Sequence, residues 1–184
     1  METATATLIE RLARMLQNES HSSGLKPTQW EILRFIGRAN RFSRNPGSVV
    51  SYLGLTKGTV SQTLNALVGK GLVQKTVSTA DKRAVMLNLT EKGLQLLADD
   101  PIREVEKGIE QLSSEDQDAV SSGIEKLVRT MLKERTSRAF GACNSCTYFL
   151  RNHESGEPHL CRLLNETLSE DDGQRICIEQ IDHT

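Results

Sequence analysis

The chain has 184 residues, 37% of them hydrophobic, with a formal net charge of −1. This is enough for one ordinary core and a small satellite module, while no apolar run approaches the ~20 residues that cross a membrane. The start, Met1-Glu2-Thr3-Ala4, lacks the basic and apolar stretches of an export signal, so no membrane partner is expected and the cytoplasm is the expected compartment.

Leu8, Leu12, Met15 and Leu16 fall at helical spacing and predict an amphipathic helix over residues 3–17. Nothing nearby in sequence covers its apolar face, which points to a distant element or a second chain. Pro27-Thr28 opens a second helix with Trp30, Leu33, Phe35 and Ile36 in the core, and Thr28 with Glu31 has the form of a capping box. Asn45-Pro46-Gly47 reads as a turn, followed by a short helix with Val49, Val50 and Leu53 that Gly54-Leu55 ends. The next helix runs from about Thr56 to Gly69. Val60, Leu64, Leu67 and Val68 form its buried stripe, and Lys57, Thr59, Ser61, Gln62 and Asn65 its polar face.

Gly69-Lys70-Gly71 stops that helix. Residues 72–77 and 84–89 then flank a polar tip at 78–83, the pattern of a β-hairpin. Thr90-Glu91-Lys92-Gly93 leads into a helical region with Leu94, Leu97, Ile102, Val105, Ile109 and Leu112, interrupted at Pro101. Ser113-Ser114-Glu115-Asp116 caps a last long helix carrying Val120, Ile124, Leu127, Val128 and Met131. Near the end of the chain Leu168-Ser169-Glu170-Asp171 repeats that capping pattern and predicts a short helix carrying Cys177.

Charge is divided by segment. Residues 26–92 hold 11 Lys and Arg against 3 Asp and Glu, whereas residues 141–184 hold 3 against 8. The first segment suits a polyanion that the second would avoid. Helix, short helix, glycine break, helix and charged hairpin is the order of a winged helix-turn-helix, so the fold class is mainly α with a small β-hairpin wing (α+β). A helix with one apolar stripe and a polar opposite face enters the major groove, where Gln, Asn, Ser, Thr and Lys reach base edges and phosphates. Lys82 and Arg83 at the hairpin tip would reach the adjacent minor groove or backbone.

Thr56-Lys57-Gly58-Thr59-Val60-Ser61-Gln62-Thr63-Leu64, Leu67-Val68-Gly69-Lys70-Gly71-Leu72-Val73, Asp81-Lys82-Arg83 and Leu89-Thr90-Glu91-Lys92-Gly93 occur in an order that resembles the MarR family of bacterial regulators over roughly residues 5–138. The resemblance implies a homodimer held by the N-terminal helix and the last two helices. It also implies a double-stranded, pseudo-palindromic DNA operator, usually bound to repress. It puts Thr56, Lys57, Thr59, Ser61, Gln62 and Asn65 on the recognition helix and Lys82 and Arg83 at the wing tip, with Asp81 orienting an arginine. Family members often take small phenolic or lipophilic effectors between the dimer and DNA-binding parts. Some sense peroxide through an N-terminal cysteine, a route excluded here because no cysteine precedes Cys143.

All four cysteines lie in the last 44 residues, as Cys143-x2-Cys146-x14-Cys161-x15-Cys177. In a reducing compartment that clustering predicts a metal centre rather than disulfides. Four thiolates complete one centre per chain, either zinc or an iron–sulfur cluster. The spacing does not choose between them; zinc is placed slightly ahead on abundance. Tyr148, Phe149, Leu150, Leu160, Leu163 and Ile176 would form a small apolar shell, and His153 and His159 are expected at the surface rather than as ligands.

The expected organisation is a DNA-binding and dimerisation domain at 1–140 and a cysteine module at 141–184. The module would either stabilise the regulator or sense redox or metal status, with a small molecule or an oxidant as effector. As a sensor it would act on the dimer helices that end just before Gly141. The alternative is a protein-interaction adaptor whose acidic module docks a partner, DNA binding being secondary. Enzymatic chemistry is not expected: four thiolates leave no open coordination position, and no nucleophile–base pair or phosphate loop is present.

Overall fold

Trp30, Ile32, Leu33, Phe35 and Ile36 are almost wholly buried, and the helix that carries them, α2 (Pro27–Arg38), is the centre of the fold. The computed structural model describes residues 4–20, 24–77, 85–134, 140–153 and 158–181. Around α2 pack α3 (Pro46–Leu53), α4 (Lys57–Gly69), the hairpin β1 (Val73–Val77) and β2 (Val85–Leu89), and α5 (Glu91–Ala98). They contribute Val49, Val60, Leu64, Leu67, Val73 and Leu87 to one core.

Local chemistry sets the boundaries. Pro27 takes the first helical position, where its missing N–H has no intrahelical partner to lose. The Lys26 N–H donates to Gln29 Oε1 at 3.0 Å, so the capping role expected of Thr28 and Glu31 belongs instead to Gln29, one turn into a helix that starts earlier. The expected turn at Asn45-Pro46-Gly47 is the start of α3: Asn45 Oδ1 accepts from the Ser48 N–H at 2.9 Å. Gly54, at φ 64°, ends α3 in the left-handed conformation that glycine adopts without strain.

Helix α4 buries Val60, Leu64 and Leu67, but Val68 is exposed. Eight residues beyond Val60, it lies about 80° round the helix and misses the core. Residues 78–84 of the hairpin, with Asp81, Lys82 and Arg83, lie outside the described residues.

The Leu-Thr-Glu-Lys-Gly run has a packing explanation. Thr90 Oγ1 accepts from the Gly93 N–H at 3.1 Å and donates to the Gly71 carbonyl at 2.7 Å. A Cβ on Gly93 would stand 2.2 Å from the Leu72 carbonyl oxygen, so α5 seats on the end of β1 only with glycine there.

Helices α6 (Ile102–Glu110) and α7 (Ser114–Glu134) hold no buried residue, and neither do the described side chains of α1 (Ala4–Ser20). Leu8 is 66% and Met15 54% exposed on α1, and Ile124, Leu127, Val128 and Met131 of α7 are exposed as well. No described helix is long and apolar enough to cross a membrane.

The cysteine segment folds as two small sheets. β3 (Gly141–Ala142) pairs antiparallel with β7 (Ile176–Cys177). β4 (Phe149–Arg151), β5 (His159–Cys161) and β6 (Glu166–Leu168) form a second antiparallel sheet in that order. The short helix expected to carry Cys177 is α8 (Glu170–Gln174), with Ser169 Oγ accepting from the Asp172 N–H at 3.1 Å, but it ends before Cys177, which is drawn into β7 by pairing with β3.

Gly93→Ala is expected to lower stability by about 2–3 kcal/mol, since the added methyl meets backbone rather than a flexible side chain. Gly69→Ala, where a Cβ meets nothing within 4 Å, should be neutral or stabilising. Urea unfolding midpoints of the two variants check both outcomes.

Candidate nucleic-acid interface and cysteine centre

Thr56 lies just before α4 as its N-cap, its Oγ1 accepting from the Thr59 N–H at 3.1 Å and bonding the Thr59 hydroxyl at 2.9 Å. That holds the first turn of α4 open to solvent. Thr56, Lys57, Thr59, Ser61, Gln62 and Asn65 are all exposed, so the helix presents the expected polar face. Their roles are not equal. Thr56 and Thr59 bond each other, and Asn65 Oδ1 accepts from Lys75 Nζ at 2.8 Å. Lys57, Ser61 and Gln62 have no side-chain partner among the described residues and remain available.

Lys75 was not singled out from the sequence, because only the hairpin pairing brings β1 beside α4. It lines, with Lys57, Ser61, Val50 and Pro46, a groove of about 490 Å³ between α3, α4 and the wing. Two amines and the hydroxyls of Ser51 and Ser61 along an otherwise apolar groove suit a phosphate backbone crossing it.

Part of the basic excess is neutralised within the chain. Arg34 makes a two-pronged contact with the buried carboxylate of Asp100, at 2.7 and 2.6 Å. Arg38 pairs with Glu106 at 3.4 Å, and Arg41 reaches Asp172 of the cysteine segment at 2.5 Å. The acidic and basic segments therefore meet each other at one surface, rather than only facing different partners.

The four cysteines are unpaired by disulfides, and Cys143, Cys146 and Cys177 are buried. The Cys143–Cys146 turn closes with the Cys146 N–H donating to the Cys143 carbonyl at 3.0 Å. Cys143, in the turn just after β3, and Cys177 of β7 belong to one buried cluster, and Cys161 packs against it. The Cys143 thiol donates to Cys177; this raises Cys143 and holds Cys177 down at about 6, with the Glu179 amide, Asn40 and Ser43 assisting. Asn40 Nδ2 approaches Cys143 Sγ at 3.2 Å, and the Ile181 N–H approaches Cys146 Sγ at 3.5 Å. Donors aimed at sulfur favour the thiolate, the form that ligates metals.

Among the described residues, no three His, Cys, Asp or Glu side chains already stand as a metal-ligand group. His159 is buried rather than at the surface as expected. Its Nδ1 accepts from the Asn152 N–H at 3.4 Å, Nε2 stands 3.1 Å from Glu170 Oε1, and the ring lies on Phe149. Burial of the hairpin β5–β6 face draws it inward, and both ring nitrogens are engaged.

The module docks on the segment between α2 and α3. Asn40 N–H donates to the Ile176 carbonyl at 2.9 Å, Ile178 N–H to Ser43 Oγ at 3.0 Å, and Arg175 Nη1 to the Gly37 carbonyl at 2.8 Å. Arg41 also donates to the Thr167 carbonyl. The expected route through the dimer helices thus has a competitor: the described hydrogen bonds run to the DNA-binding lobe.

Known proteins place this geometry. Residues 23–84 match the sequence model described as MarR family. The HTH-type transcriptional regulator PetP of Rhodobacter capsulatus is 41% identical over 58 residues, which are 29% of this chain and 35% of PetP. The chain thus matches about a third of that relative's length. The structure of Streptococcus pneumoniae FabT in complex with DNA is similar over 70% of this chain and 95% of its own, with a TM-score of 0.57 and 26% identity. A MarR transcriptional regulator from Methanosarcina mazei Go1 shares the fold over 70% of this chain and 96% of its own, at 24% identity and a TM-score of 0.56. Over the matched segment this chain is similar in sequence to the MarR family, and its winged helix is similar in fold to solved members.

Proposed function

We propose that the protein is a cytoplasmic DNA-binding transcriptional regulator. In this reading a homodimer represses from a pseudo-palindromic operator and carries one thiophilic metal centre per chain on Cys143, Cys146, Cys161 and Cys177. The observation that carries the DNA-binding reading is α4, whose first turns expose Lys57, Ser61 and Gln62 without intramolecular partners while Val60, Leu64 and Leu67 anchor the helix. A rigid helix with uncommitted polar side chains at its N-terminal end is what major-groove readout requires. FabT was solved with DNA bound, which supports carrying that mode of binding to this fold.

The apolar faces of α1 and α7 support a dimer. A monomer seldom exposes so many large hydrophobic side chains together. Two gaps, of about 300 Å³ beside Leu12, Met15 and Leu112 and about 650 Å³ beside Ile124, Val128 and Phe140, lie along these helices and would accept side chains of a second copy. A two-fold pair of recognition helices then reads half-sites about one DNA turn apart. Of the eight carboxylates behind the adaptor alternative, Asp171 and Asp172 are engaged by Arg175 and Arg41 of the same chain.

The metal reading rests on the donor chemistry: four cysteines drawn from the Cys143–Cys146 turn, β5 and β7, with the amides of Asn40 and Ile181 turned towards the sulfurs of Cys143 and Cys146. A cysteine sulfur is repositioned by rotation about one torsion, so backbone placement is the stronger constraint.

The wild-type chain should sediment at twice its 20.4 kDa mass and enrich a pseudo-palindromic duplex from a random pool. On that duplex Gln62→Ala should cost about 1–3 kcal/mol and relax choice at one base step. Lys57→Ala should weaken all duplexes alike and reduce the salt slope by about one per chain. A chain that enriches no duplex would sink the DNA-binding reading. Protein purified without oxygen should hold either one zinc per chain or iron with matching sulfide and visible absorption; a preparation free of both metals would refute the centre.

A further inference from the structure

We propose that the cysteine centre governs DNA binding through residues 39–45, with Asn40 as the positioning residue that joins its state to the start of α3. The inference rests on the metal reading given above and assigns that site its route of action.

Asn40 is fully buried, and both ends of its side chain are committed. Nδ2 donates to Cys143 Sγ at 3.2 Å, while Oδ1 accepts from the N–H groups of Phe42 and Ser43 at 3.1 and 2.8 Å. One amide group therefore holds a cysteine on one side and shapes the chain before α3 on the other. The connection continues without a break. Asn45 Nδ2 donates to the Phe42 carbonyl at 3.2 Å, and Asn45 Oδ1 caps α3. The Leu87 N–H donates to the Arg44 carbonyl at 2.7 Å, tying the same segment to the middle of β2 in the wing. Phe140, three residues before Cys143, lies 4.3 Å between ring centroids from Tyr52 of α3, which in turn lies 4.6 Å from Phe35 of α2.

A metal-bound cysteine is a thiolate, and its hydrogen bond from Asn40 is charge-assisted. A protonated thiol accepts far more weakly. Loading the centre thus tightens the contact that shapes residues 40–43, and emptying it loosens that contact in the segment that leads into α3, which packs on α4, and that hydrogen-bonds to β2 of the wing. Placement of the two recognition surfaces relative to each other is then set by occupancy, a local change with a readout at the DNA. Zinc and an iron–sulfur cluster share this chemistry, and elemental analysis tells them apart.

The experiment uses the full-length protein purified without oxygen. Metal content is read first; absence of both zinc and iron refutes the underlying metal reading, an outcome distinct from failure of the route through Asn40. With metal present, hydrogen exchange and affinity for the selected duplex are compared before and after stripping with a chelator. The expected result is faster exchange, by at least about tenfold, at amides 42–48 and a comparable loss of affinity. The core amides of α2 should stay protected and the sedimentation of the dimer unchanged. Equal exchange and affinity in the two states overturns the proposal, as does loss of protection throughout α2, which would make the centre a staple for the whole fold.

A variant separates the two ends of Asn40. Asn40→Asp keeps an oxygen for the Phe42 and Ser43 amides but removes the donor to sulfur. It should surrender metal to a chelator about 10- to 100-fold faster. Asn144→Ala, which loses only an exposed contact with Gln174, should release it at the wild-type rate. Wild-type release from Asn40→Asp refutes the role of Asn40. The stripped wild-type comparison stands whether or not that variant folds.

Discussion

Burial of α2 is the constraint on which the other elements depend. Its buried residues cover more than half of its circumference, leaving only the strip of Glu31, Arg34 and Arg38 towards solvent, so it must be enclosed by α3, α4, α5 and the hairpin. Enclosure leaves α4 only one way to lie: Val60, Leu64 and Leu67 turn inward, and the residues between them turn out. The recognition surface is thus the outer side of a packed helix, and its rigidity derives from the core beneath it. The same enclosure explains the tolerance for nothing larger than glycine at Gly93, where α5 closes over β1.

The polar framework does a different task. Arg34 with the buried Asp100 fixes the approach of α6 to α2, and Asp100 Oδ1 also accepts from the Ile102 N–H at 2.9 Å, so one carboxylate both pairs a cation and starts a helix. A buried pair of this kind adds little net stability but makes any arrangement that separates its members costly, so it specifies geometry. Arg41 with Asp172 and the Thr167 carbonyl does the same for the cysteine segment. The small module is held by these contacts and by the hydrogen bonds of Asn40, Ser43 and Arg175, in a region with few apolar side chains of its own.

The outer helices complete the picture by what they lack. α1, α6 and α7 carry apolar faces without a buried residue, and apolar area of that size left in water costs free energy in proportion to its extent. In the proposed dimer a second copy of the chain would cover these faces and set the separation of the two α4 helices. The exposed face of α4, the uncovered helix faces and the cysteine segment would then be three parts of one geometry. Two of them, the centre and the recognition lobe, meet at the segment before α3.

Signals that act within a few residues were legible in the sequence. Thr56, Thr90, Ser113 and Ser169 announce helix starts because a side-chain oxygen satisfies an amide two or three residues on, and Gly54 and Gly71 announce ends because only the left-handed conformation turns the chain there. The stripe of α4, apart from Val68, and its polar opposite face came from helical period alone, as did the stripes of α1 and α7. Tertiary structure decided what depends on distant partners. Strands of two or three residues such as β3 and β7 are too short for a period and exist only as pairs. Lys75 stands beside Asn65 because the hairpin folds back, and His159 is buried because β4, β5 and β6 form a sheet. In the sequence, Asn40 is one polar residue at the end of a helix. Only the return of a chain segment more than 100 residues later gives its amide the sulfur of Cys143 to hold.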